Sequence, residues 1–153
     1  MLGFLKQRKA ILDTQKLIKD LTFNIAIYDK KIKPSELFLH DPYVLGFIKA
    51  LSEVAIMFNY RTRPSHIVAG KILCKSIQKS YPAESENIIE KLSEFNMSEN
   101  EKFIDGLKLG INYGKSISSG MNNPAITEEE IGEQFEETFG VMRRYIRNNY
   151  IKN

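Results

Sequence analysis

His40, His66 and Cys74 are the side chains best suited to chemistry in this chain of 153 residues, being its two histidines and its one cysteine. A metal centre needs His, Cys or carboxylate ligands that converge at short spacing. His66 and Cys74 are separated by two helical turns, about 12 Å along one helix, and so cannot act as a pair. His40 beside Asp41 reads as part of a helix start. Gly114-Lys115-Ser116 matches the end of a phosphate-binding loop, but that motif requires a glycine where Leu109 stands and a preceding strand. Convergent acids, nucleophile motifs and nucleotide loops are not discernible either. No catalytic residue, metal or cofactor is therefore assigned, and a non-enzymatic protein is expected.

Two residue groups remain as candidate binding surfaces. Arg61, Arg63 and His66, with Lys71 and Lys75 beyond, form the densest positive corner, at a loop and helix start where backbone donors would add to the attraction for an anion or an acidic partner. Gly106, Gly110 and Gly114 recur every four residues, and three glycines inside one helix cost about 1 kcal/mol each relative to alanine. Such a stripe admits another backbone at close range, with Gly46 and Ala50 as a matching small face. Close packing within the chain is the favoured expectation. A groove for a partner helix, in a hetero-complex or a homodimer, is the alternative.

The elements that must position these groups are helical. From Leu2 to about Tyr28, Phe4, Ile11, Ile18 and Ile25 recur every seven positions opposite a basic face of Lys6, Lys9, Lys16 and Lys19. A single turn is expected over Ser35 to Leu39. Asp41 and Pro42 then form a cap and first-turn proline for a helix through Tyr60, whose apolar residues cover most of its circumference except at Lys49, Ser52 and Glu53. A helix of that kind has to be enclosed by others. Pro64 ends it, Ser65 caps a helix to about Ser80, and Glu84 to Phe95 forms a short acidic one. Ser98-Glu99-Asn100-Glu101 has the form of a capping box for the glycine-bearing helix, which is expected to dissolve in the Ser, Gly and Asn cluster of Ser116 to Pro124. Thr127 to Glu130 is a second capping box, opening a helix with Ile131, Phe135, Phe139, Met142, Tyr145 and Ile146 on one side. An all-α, single-domain bundle over residues 1–153 is predicted, with about six helices around a buried central helix at 41–60.

Composition bounds the function. The 42% apolar and 27% charged content is that of a globular domain. A lone cysteine gives no sign of an oxidising compartment. Apolar runs stay short of the roughly 18 residues of a membrane span, and Lys6, Arg8 and Lys9 interrupt the start before any signal-peptide core. A cytoplasmic location is expected on these grounds. Residues 1–82 carry 14 Lys or Arg against 6 Asp or Glu, while residues 83–153 carry 8 against 13. This split fits two halves attracting each other, or a basic surface for nucleic acid, anionic lipid or an acidic protein. The leading expectation is a protein-binding factor of the adaptor, inhibitor, immunity or secretion-associated kind. A nucleic-acid-binding regulator using the basic half, or a carrier with a hydrophobic pocket inside the bundle, are the alternatives.

Overall fold

The computed structural model describes the backbone at residues 2–28, 33–34, 38–122, 125 and 127–150, and the side chains there apart from 23–28, 117–122, 128, 131, 134 and 135. Six α-helices make up this part of the chain: α1 (Leu2–Tyr28), α2 (Pro42–Asn59), α3 (His66–Ser80), α4 (Ser85–Met97), α5 (Glu101–Asn122) and α6 (Glu128–Tyr150). No strand occurs among the described residues. The all-α bundle around a central helix is thus observed. α2 packs on α5, α1, α3 and α4, and α6 lies mainly on α5.

The start of α2 follows from two adjacent residues. Pro42 needs no helical partner for its missing N–H, and Asp41 Oδ1 accepts hydrogen bonds from the N–H groups of Tyr43 at 2.8 Å and Val44 at 3.3 Å. From Val44 to Ile56 the helix is buried except at Lys49 and Glu53; Ser52, read from the sequence as part of the same polar stripe, is instead buried, its hydroxyl donating to Lys49 O at 2.7 Å. The main core joins Leu45, Phe47, Ile48 and Leu51 to Ile18 and Leu21 of α1, Phe103 of α5, and Phe139, Met142 and Ile146 of α6. A smaller cluster joins Ala10 and Ile11 to Ile56, Ala69 and Ile72. The side chains of Ile131 and Phe135, assigned to the same face of α6, lie outside the described residues.

α2 and α5 run parallel and form the most extensive helix pair. A β-carbon at Gly46 would lie 2.0 Å from the carbonyl oxygen of Phe103, and one at Gly106 would lie 2.0 Å from that of Tyr43. The two glycines are therefore reciprocal, each making room for the other helix's backbone. Further along, Gly110 faces the Ala50 methyl and Gly114 faces Val54. The close approach offsets the poor helix propensity of glycine by packing two backbones together.

Local details differ from the sequence expectations at two places. Ser98 does not cap α5; it ends α4, its N–H bonded to Glu94 O, and Asn100 is the cap, its Oδ1 accepting from Phe103 N–H at 3.2 Å. Between them Glu99 takes a left-handed conformation with φ of 51°, turning the chain between the end of α4 and the start of α5. α5 also continues to Asn122 through the cluster expected to be a loop, stopping two residues short of Pro124. Serine and glycine only weaken a helix, whereas proline ejects the residue before it from the helical region. Of the turn expected at Ser35 to Leu39, Phe38 and Leu39 donate to Pro34 O, and 35–37 lie outside the described residues. The second capping box is present, with Thr127 N–H on Glu130 Oε2 and Glu130 N–H on Thr127 Oγ1.

Candidate functional site

The site is built where α2 gives way to α3. Tyr60 turns extended, with φ of −125° and ψ of 134°, while its N–H still bonds to Ile56 O at 2.9 Å. The chain then runs through Arg61 to Pro64 before Ser65 Oγ accepts from Val68 N–H and starts α3. This short link throws Arg63 back along α2, where its guanidinium meets Glu53 at 2.9 Å. Glu53 belongs to the polar stripe of α2, so that stripe positions the arginine.

The Arg63–Glu53 pair and Lys49 form a ridge shared by two hollows. The larger, about 570 Å³, lies towards α5 and has Ile56, Met57, Leu107 and Ile111 for its apolar lining, with Tyr60 and Arg61 at the link. Its size falls within the ~300–1,000 Å³ of ligand and side-chain pockets. The smaller, about 380 Å³, lies towards α3 and α4 and includes His66, Gly70, Cys74, Ile89 and Asn96. Lys49 is fixed by donating to Asn96 Oδ1 at 2.8 Å, and its ammonium group lies 5.9 Å from the centre of the Phe103 ring. Arg61 has no ion-pair partner among the described residues. The Tyr60 hydroxyl is covered but unbonded among those residues, and desolvation raises its pKa. Met57 is 43% exposed, and its flexible thioether can adapt to varied apolar shapes.

The positive corner read from the sequence is thus divided. Arg61 and Arg63 line the larger hollow, Arg63 and His66 line the smaller, and Lys71 and Lys75 stand exposed on α3 away from both. His66 and Cys74 share the smaller hollow, and burial raises the Cys74 pKa, disfavouring the thiolate. The described residues contain no group of three His, Cys, Asp or Glu able to hold a metal ion. The glycine face at Gly106 and Gly110 is filled by α2, with Gly46 and Ala50 among the residues in contact, so a partner groove along that stripe is excluded by packing.

A cluster at the other end of α2 was not evident from the sequence. Asp41 Oδ2 accepts from Tyr145 Oη at 2.9 Å and from Tyr150 Oη, while the Tyr43 ring packs 4.5 Å from that of Tyr145. Desolvation, then the contact with Asp41, pushes the Tyr145 pKa up to about 12 and raises that of Tyr150. These hydroxyls act as donors that satisfy the cap, and the cluster joins α6 to α2. The signal was the Asp41-Pro42 pair; its partners lie more than a hundred residues away.

Comparison of the chain with protein-family models, characterised proteins and solved structures returns no match. No helix among the described residues is long and apolar enough to cross a membrane.

Proposed function

We propose that this protein acts by binding another protein, and that the larger hollow beside the end of α2 receives an apolar segment of that partner bearing a carboxylate. The observation carrying this reading is an open apolar lining of Ile56, Met57, Leu107 and Ile111 next to Arg61, a cation without an ion-pair partner among the described residues. A partner side chain would cover the lining while its acid meets Arg61, giving affinity from burial and orientation from charge. The Glu53–Arg63 pair holds the wall in shape, and Met57 adapts to the occupant. For a nucleic-acid reading, α2 is largely enclosed by other helices, which leaves the exposed basic residues of α1 and α3.

A photo-crosslinking side chain at Met57, introduced in the native cell, tests the proposal. It should capture a defined protein, and both Arg61→Glu and Ile111→Lys should abolish capture while the melting temperature changes little. Capture that persists in both variants, or none at all, removes the proposal. A small molecule retained in native mass spectrometry and displaced by Ile111→Lys would establish a carrier instead.

A further inference from the structure

The outer face of α1 is chemically distinct from both hollows. Leu5, Arg8, Lys9, Leu12, Lys16 and Lys19 fall on a single helical face, each three or four residues from another of the set, and all six are exposed. Leu5 is 58% and Leu12 50% exposed, and none of the four cations has an ion-pair partner among the described residues. The acids of α1, Asp13 and Asp20, border this face, lining one hollow together with Lys16. Asp13 accepts a hydrogen bond from Asn59 of α2, and Asp20 lies in a hollow with Val54 and Tyr113. Two further large apolar side chains, Leu2 and Phe4, are 76% and 68% exposed on the first turn.

We infer that this face of α1 lies on an anionic membrane surface. Its four exposed cations complement phosphate and carboxylate headgroups. Its leucines stand on a convex ridge, flanked by long basic side chains that can reach headgroups while the leucines enter the headgroup–acyl boundary. A nucleic acid would use the cations but gain little from exposed leucines. This is peripheral attachment, made by a helix whose other side is packed on α2 and α3.

The test is sedimentation of the full chain with vesicles of phosphatidylcholine alone or mixed with phosphatidylserine. Binding is expected only to the mixed vesicles, with loss on raising the salt. Lys16→Gln with Lys19→Gln should weaken partitioning about thirty-fold, and Leu5→Asn with Leu12→Asn about ten-fold. Both pairs should leave the melting temperature unchanged because the side chains are exposed. No binding to the mixed vesicles overturns the inference, as does binding unaffected by either pair. Tighter binding to a random DNA duplex, indifferent to the leucine changes, would overturn it in favour of a nucleic-acid face.

Discussion

The first turns of α2 are closed while its end is left open. At the start, Asp41 uses both oxygens on four donors, and Gly46 and Gly106 bring α2 and α5 backbone to backbone. At the end, Met57 and Phe58 are nearly half exposed, Arg61 is unpaired among the described residues, and two hollows flank the Arg63–Glu53 ridge. One helix therefore carries a structural end and a receptive end. Substitutions at the closed end should change stability, and those at the open end should change binding.

The largest effect is expected from Gly106→Ala. Its new methyl meets the Tyr43 carbonyl rather than a movable side chain, so the helices must separate, at a cost of about 3 kcal/mol or more in chemical denaturation. A near-neutral result would mean the closed end is not closed. Asp41→Ala should follow with a loss of about 2 kcal/mol, combining the lost cap with two unpaired tyrosine hydroxyls. Tyr145→Phe removes one of those hydroxyls and should cost about 1 kcal/mol. Burial and Asp41 push the Tyr145 pKa up to about 12, whereas the unfolded side chain loses its proton near the ordinary tyrosine value of 10.0. Folding stability therefore falls as pH rises from the unfolded towards the folded value, a slope that Tyr145→Phe should reduce in pH-dependent unfolding.

Gly70 lies in α3 beside the open end, with nothing within 4 Å of where a β-carbon would stand. Gly70→Ala should raise stability by roughly 0.5–1 kcal/mol, opposite in sign to Gly106→Ala. The smallest effect is expected for Arg63→Ala. Its ion pair is 57% exposed on the arginine side, so the loss should stay within about 0.5 kcal/mol by thermal melting.

Local signals made much of the fold legible. Asp41-Pro42 and Ser65 are caps whose acceptors lie within three residues of their donors, and the enclosure of α2 follows from its own apolar circumference. The close approach at Gly46 and Gly106 was legible because a four-residue glycine repeat calls for a second small face. Ser98 misled because a capping box is defined by residue types, whereas the cap in place is Asn100, which accepts from Phe103 N–H after Glu99 turns the chain. The candidate site was only half visible. Arg61 and Arg63 stood out as charges, but the apolar lining draws Leu107 and Ile111 from a helix that returns some fifty residues later, and nothing near Arg63 announced Glu53 as its partner.

Asp41 also has a kinetic meaning. Tyr145 and Tyr150 reach it across 104 and 109 residues, so these bonds can form only after α2 has its first turn and α6 has docked. Bonds of such long range form late in folding, and their removal should speed unfolding more than it slows folding. If α6 is released, Asp41 still caps Tyr43 and Val44 after the tyrosines have left.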